Sequence, residues 1–394
     1  MSGMIPLRRV TRLAYGDALA SEARGDGIVP VVGSGGVSGT HDKSNFGAPG
    51  IVVGRKGSYG SIHWVPSAGF AIDTAYYIDE GLTSANLRWL YYVLQAVDLR
   101  GPSQDVGVPG LSREAAYAML VPDPPPLAEQ RRIADFLDAE TARIDKLVSF
   151  QERLYDLLIE RDNSLRDGLL HKLFETEGEA PLRRVTLGIE QGTSPQCETT
   201  PASRGEWGVL KLSAVKRGRF DHAENKRLPD EVTPATAYEV KAGDLLVTRA
   251  NTPSLVGDVA VVGEGASQLL LPDLIYRVRL TDTVSAEFIA QVALGRRTRA
   301  LIEATARGSS QSMVKLRGED IKSWPIPKIG KPQQAEFLHA IRQGTAQTQH
   351  LRSLVQRQLA LLTERRQALI TAAVTGQFDI TTAGGRNVTE GVSA

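Results

Sequence analysis

Three sets of residues have types and spacings that invite chemistry. The stretch VVGSGGVSG (31–39) opens like a phosphate-cradling loop, because glycines let backbone N–H groups approach a pyrophosphate. The fit fails at its third position. Gly33-x-Gly35-x-x-Ser38 has serine where glycine is required, and THDKSNFGAPG after it is a poor helix. The stretch VPDPPPL (121–127) has the Asp-Pro-Pro core of an adenine-methylating motif, but no aromatic residue follows. Prolines ahead of a helix explain it, since they end a strand and preset the first helical turn. The third set is dispersed through loops: Ser34, Arg55, Lys56, Ser58 and Tyr59 in the first half of the chain. The second half adds Lys211, Lys216, Arg217, Arg219, Arg249, Asn251 and Thr252, then Arg307, Ser309, Ser310, Gln311 and Lys315. Arg can pair with guanine O6/N7 and Asn or Gln with adenine N6/N7, while Ser, Thr and Lys suit phosphates. The same side chains would serve as solvated loop charges, and their chemistry alone leaves both readings open.

No catalytic, cofactor-binding or metal residue is assigned. The six histidines are scattered, and the single cysteine, Cys197, cannot build a thiolate metal site. No Ser/His/Asp order or paired carboxylate stands out. The chain reads as a binding protein rather than an enzyme.

The bulk numbers bound what must position these loops. At 394 residues the chain is too long for one ordinary domain, and 42% apolar residues suffice for proper cores. A formal charge of +1 sets up no global positive field, so any nucleic-acid surface is a local patch. One cysteine excludes an intramolecular disulfide and fits a reducing cytoplasm. The sequence has no apolar h-region near Met1 and no uninterrupted run of eighteen apolar residues, so a cytoplasmic location is expected.

Internal repetition organises the chain. PLRRVT occurs at Pro6–Thr11 and again at Pro181–Thr186, an offset of 175. LLIERDNSLRDGLL (157–170) aligns without gaps on LLTERRQALITAAV (361–374) at an offset of 204, so the second globular segment is 29 residues longer (204 minus 175). Each half therefore has a Gly-rich, β-branched head followed by a long helix pattern. The reading places heads at 1–124 and 178–328, helices at 125–177 and 329–380, and a disordered tail at 381–394. Within the heads, Ile28–Val32 and Ile51–Val53 read as strands, while Ser84–Leu99 and Ala286–Arg307 read as helices. IVVGRKGS in the first head lies opposite LLVTRANT in the second, aligning Arg55 with Arg249.

The helices have heptad character. Ile133, Leu137, Ile144, Leu147, Leu154, Leu158 and Leu165 form one seam, and Phe337, Ile341, Leu351, Val355, Leu362 and Leu369 the other. Polar residues interrupt both, so the two are expected to pair with each other. Because the first helix delivers the chain to the second head, the second must run back. The expectation is an α+β protein: two mostly-β heads separated by an antiparallel intramolecular coiled coil with a pseudo-twofold axis. The stretch from Ile133 to Leu169 would span about 54 Å.

PPPLAEQRRIADFLDAETARID opening a long helix, the repeat of head plus helix, and stretches such as PVVGSGGVSG and GIVVGRKGSYG resemble the specificity subunits of type I restriction–modification enzymes. The resemblance covers nearly all of residues 4–380. It implies that each head is a target recognition domain reading one half of a bipartite double-stranded DNA site. The coil would fix the unread spacer and dock two methylation subunits. Those partners would bring S-adenosylmethionine, and two motor-endonuclease subunits ATP and Mg²⁺; this chain would hold no cofactor. The second helix departs from the pattern, opening KPQQAEFLHAI. Two other classes remain: a stand-alone DNA adenine methyltransferase with a recognition domain, and a protein-binding scaffold.

Overall fold

A computed structural model describes residues 3–100, 110–310 and 313–378. Gln311 and the tail expected at 381–394 lie outside the described residues. The chain divides into two compact units, 1–153 with 355–394, and 154–354. Each unit contains one head and one stretch of each long helix.

In the first head the chain runs β1 (Met4–Pro6), β2 (Ala14–Tyr15), β3 (Val29–Gly33), β4 (Gly36–His41), β5 (Gly50–Gly54), β6 (Ile62–Val65), β7 (Phe70–Ala71) and β8 (Ala75–Ile78). Then follow α1 (Leu87–Ala96), α2 (Arg113–Ala118), β9 (Leu120–Pro122) and the long helix α3 (Leu127–Glu177). The second head has β10 (Glu179–Pro181), β11 (Thr186–Gln191), β12 (Gly208–Leu210), β13 (Val215–Lys216), β14 (Arg219–Phe220), β15 (Asn225–Arg227), β16 (Leu245–Thr248) and β17 (Ala250–Asn251). It continues with β18 (Val259–Val261), β19 (Leu269–Leu270), β20 (Ile275–Leu280), α4 (Ala286–Leu294), α5 (Arg296–Thr305), β21 (Arg307–Ser310), β22 (Met313–Lys315), α6 (Gly318–Lys322), β23 (Pro325–Pro327) and the second long helix α7 (Lys331–Val374).

The two heads repeat one topology. Each has a four-stranded sheet, β2-β8-β5-β6 in the first and β11-β20-β16-β18 in the second. Each also has a three-stranded sheet, β4-β3-β7 and β15-β12-β19, combining one antiparallel and one parallel pair in matching places. The apolar runs of β5 and β16 are buried at every position, as continuous apolar strands covered on both faces must be. The second head carries an extra hairpin, β13–β14, where the first has only the turn between β3 and β4.

Both heads close at a neck. Strand β1 pairs with β9, Met4 opposite Pro122, and β10 pairs with β23, Glu179 opposite Pro327. The chain therefore enters and leaves each head side by side. One glutamine then fixes the head to its helix. Gln130 accepts from the Asn86 N–H at 2.7 Å and donates to the Pro125 carbonyl at 2.6 Å. Its counterpart at offset 204, Gln334, accepts from the Ser285 N–H at 2.9 Å and donates to the Thr283 and Ile329 carbonyls. Gln130 and Gln334 are only 3% and 1% exposed, so their partners cannot turn to water. Gln334→Leu should therefore lower stability by about 2–4 kcal/mol, because buried backbone groups lose their partners while apolar volume is kept. Urea unfolding checks it: a lower midpoint at unchanged slope is expected, and an unchanged midpoint contradicts the clamp.

Beside the clamp the two units differ in sign. In the first, Arg88 Nε meets Asp138 Oδ1 at 2.7 Å, and the Tyr92 hydroxyl donates to the same oxygen at 2.5 Å. Burial, reinforced by that carboxylate, pushes the Tyr92 phenol up to about 12. The corresponding positions of the second unit are Glu287, Gln291 and Arg342, which line a cavity of about 660 Å³.

The helix expected at Ala286–Arg307 is two helices, α4 and α5, broken at Gly295. At the break α3 comes close: a Cβ at Gly295 would lie 2.7 Å from Leu170 Cδ1, and Asp167 of α3 accepts the Arg296 N–H at 2.9 Å. The helix expected at Ser84–Leu99 is the shorter α1, capped by Asn86 Oδ1 on the Trp89 N–H.

The long helices pair antiparallel within each unit. In the second, Asp162 accepts from Thr348 Oγ1 at 2.6 Å and faces Arg352 at 3.4 Å, while Leu165 packs against Gly344. In the first, Asp145 faces Arg366 at 3.3 Å. Ile133, Leu137, Ile144, Leu158, Phe337, Ile341, Val355 and Leu369 are buried, and Leu165 and Leu362 are half-buried. Leu147, Leu154 and Leu351, expected in the seam, are exposed. A strict 3.5-residue repeat drifts about 20° per heptad around a straight helix, which carries such positions off the contact line. Buried Thr345 and Thr348 take part of the interface instead.

Candidate nucleic-acid interface

The predicted residues of the first head gather at one cluster of loops. The Ser34 carbonyl accepts from Ser61 Oγ at 2.5 Å and lies 3.0 Å from His63 Nε2. Arg55 donates to the Asp73 carbonyl at 3.1 Å, Lys56 bridges to Gly110, and the Tyr59 hydroxyl donates to the Arg100 carbonyl. Lys56 and Ser58 are exposed; Ser34, Arg55 and Tyr59 are half-buried.

Arg249 repeats the setting of Arg55. The N–H of each donates to a carbonyl across the sheet, that of Thr74 for Arg55 and of Leu274 for Arg249, both at 2.8 Å. The carbonyl of each accepts from a leucine N–H, Leu111 or Leu316, also at 2.8 Å. Both guanidinium groups donate to an aspartate carbonyl, Asp73 or Asp273. Both lie over a tyrosine at 5.9 Å, Tyr76 or Tyr276. Burial pushes the Tyr76 phenol up to about 12, keeping the ring neutral beneath the cation. The alignment of IVVGRKGS with LLVTRANT is thus an equivalence of backbone and side chain.

Around this shared arginine the heads differ. Tyr15 is flanked by Arg55 at 5.1 Å and by Arg113 at 4.8 Å, and it tilts against Tyr76 at 5.1 Å. Tyr15 and Arg113 were invisible as a pair in the sequence, since only the folding of β2 beside α2 joins them. By strand register Tyr15 corresponds to Gln191, and Arg113 to Gly318 after the aligned leucines, so the second head has no such stack.

The second head brings other predicted residues together. Ala250 pairs with Lys315, and Lys315 with Arg307, so Ala250–Asn251, Arg307–Ser310 and Met313–Lys315 share the sheet β17-β22-β21. Arg307, Ser309 and Ser310 lie on β21, while Gln311 falls outside the described residues. Lys216, Arg217 and Arg219 are exposed on the extra hairpin. Asp258 latches that hairpin, accepting the Arg217 N–H at 2.7 Å, and burial raises its carboxyl above the ordinary range. Arg217 has φ 49°, an uncommon conformation for a residue with a Cβ. Three candidates are already engaged: Lys211 with Glu224 at 3.7 Å, Asn251 Oδ1 with the Thr252 N–H at 2.9 Å, and Thr252 Oγ1 with Ser254 at 3.4 Å. Arg299, absent from the sequence-based set, donates to the Val256 and Ser254 carbonyls of the same loop.

No family model matches the chain. The EcoEI type I restriction enzyme specificity subunit of Escherichia coli is 35% identical over 144 residues, 36% of this chain and 24% of that protein. The EcoKI specificity subunit of Escherichia coli strain K12 is 26% identical over 277 residues, 68% of this chain and 59% of that protein. Over these stretches the chain is similar to type I restriction enzyme specificity subunits. The matches span less than two thirds of either relative's length. A solved chain from a study of complex assembly and conformational transition in the type I restriction–modification system shares the fold, with a TM-score of 0.58 at 14% identity, covering 95% of this chain and 98% of that one.

The latch on the basic hairpin is a point to break. Asp258→Ala should leave the part-buried Arg217 N–H and the buried Val259 N–H without their acceptor and cost about 1–3 kcal/mol. Amide exchange at Arg217 and Gly218 should accelerate while protection in β5 of the other head stays unchanged. Equal exchange at the hairpin in both proteins contradicts the latch. Among the described residues there is no group of three or more His, Cys, Asp or Glu fit to hold a metal, and no helix long and apolar enough to cross a membrane.

Proposed function

We propose that this chain is the sequence-reading subunit of a type I restriction–modification complex. Each head reads one half of an asymmetric bipartite site in double-stranded DNA, and the paired helices set the unread spacer. The observation that carries this reading is the common scaffold with divergent flanks: Arg55 and Arg249 sit in matching frames while Tyr15, Arg113 and the β13–β14 hairpin each belong to one head. Two unequal readers on one scaffold call for two unequal half-sites. A duplex presents successive major grooves about 34–36 Å apart, so base pairs between the heads go unread.

The chain supplies no catalysis in this reading. Two methylation subunits dock on the helices and bring S-adenosylmethionine, and two motor-endonuclease subunits bring ATP and Mg²⁺. Support for paired docking comes from exposed apolar residues that recur at offset 204: Leu147 with Leu351, Phe150 with Leu354, and Leu157 with Leu361. Exposed apolar positions at helical spacing suit a partner helix. The near-neutral charge of +1 is tolerable because partners contribute phosphate contacts, and the single cysteine suits the cytoplasm. Selection from a random duplex library with the full-length chain tests the reading. A split motif with two different parts is expected; a continuous motif, or none, contradicts it.

A further inference from the structure

We infer that Arg113, stacked on Tyr15 beside Arg55, reads a guanine in the first head's half-site; the inference rests on the DNA-recognition reading. Arg113 Cζ lies 4.8 Å from the Tyr15 ring centroid and 5.9 Å from that of Tyr117, so two rings flank its guanidinium. Stacking fixes a guanidinium plane without using its N–H groups, which are directed outward in that plane. Arg113 has no hydrogen-bond acceptor or carboxylate partner among the described residues, and its Nε is buried without one. Its neighbours Arg55 and Tyr76, by contrast, are satisfied by the Asp73 and Leu111 carbonyls. A half-buried, oriented fork whose donors find no partner among the described residues suits a bidentate acceptor such as a nucleic acid.

Guanine O6/N7 and a phosphate both offer that geometry. Position in the duplication separates them. Phosphates are common to both half-sites, and a phosphate contact belongs to the scaffold both heads share. Arg55 and Arg249 have that property, whereas Arg113 corresponds to Gly318, and Tyr15 to Gln191. A contact unique to one head belongs to what that head alone reads.

The test compares motifs selected from a random duplex library by the full-length chain and by its Arg113→Lys and Arg113→Gln variants. Lysine keeps the charge and the apolar stem but loses the planar fork. Arg113→Lys should lose preference for one guanine in the first half-site by about tenfold or more. Its second half-site should be unchanged, which shows in the same molecule that the variant is folded. Should Arg113→Lys select the wild-type motif, the guanine assignment is overturned. A uniform loss of affinity in Arg113→Gln, with a salt slope lower by about 0.9, would make the contact a phosphate and overturn it equally. If the wild-type chain selects no motif at all, the DNA-recognition reading fails and the inference falls with it.

Discussion

If the proposed DNA-reading role holds, replacing residues 1–121 with the head of a type I specificity subunit should change the first half-site completely and leave the second untouched. The neck explains why such a graft is tolerated. Met4 pairs with Pro122 and Pro6 with Leu120, and the Asp123 N–H donates to the Gly3 carbonyl at 2.8 Å, so both junctions lie within one small ladder. Entry and exit are already held together, and the graft adds no loop-closure cost. The donor must still seat on the helices. Leu87, Leu90, Val93 and Leu94 of α1 share a core with Ile133, Leu137, Ile144, Ile370 and Ala373 of the long helices. It must also match charge, because Asp138 awaits a cation where Arg88 now stands. A donor with an acid there, as Glu287 is in the second head, should need Asp138→Arg as well. Each wrong base pair costs about 1–3 kcal/mol, so a changed half-site of several bases shifts preference by a hundredfold or more. A change in both half-sites, or in neither, would falsify the assignment of one head to one half-site.

Converting Leu147 and Phe150 to aspartate should abolish one of two partner-binding events and spare the other. These residues are 50% and 69% exposed, and Leu361 nearby in the same unit is 54% exposed. Their repeat equivalents, Leu351 and Leu354, are 40% and 43% exposed, with Leu157 at 52% in that unit. Singly exposed leucines need no explanation, but a set that recurs in register through a duplication does. In the proposed reading, two like surfaces accept two copies of one partner. Burying a charge at the centre of such a contact typically costs 2 kcal/mol or more per anchor. Native mass spectrometry with methylation subunits should therefore show one bound copy for Leu147→Asp/Phe150→Asp. Adding Leu351→Asp/Leu354→Asp should leave none. Two copies retained by the fourfold variant would remove these surfaces from the account.

How far the sequence discloses this molecule depends on how local each feature is. The duplication was legible because PLRRVT and the LLIERD and LLTERR stretches keep their residues, and IVVGR and LLVTR keep the strand before each arginine. The break at Gly295 was not. Arg296–Thr305 is a helix in its own right, and at the boundary Gly295 meets α3 through Leu170 and Asp167, contacts far away in sequence. The heptad reading went wrong at Leu147, Leu154 and Leu351 because it assumes a constant 3.5-residue repeat. Gln130 and Gln334 are polar residues at helix starts whose role depends on backbone groups at Asn86 and Ser285 far away in sequence. Tyr15 and Arg113 failed to stand out for the same reason. Their meaning is a contact between the second strand of the head and its last helix, and no spacing rule spans that distance.

Sequencing the methylated positions of the host genome, with the gene intact and deleted, tests the central claim most directly. Two different short sequences separated by a fixed unread gap should carry methyl groups, and that pattern should vanish with the gene. A methylation map that is identical in both strains, or a gene-dependent motif with no gap, would contradict the account.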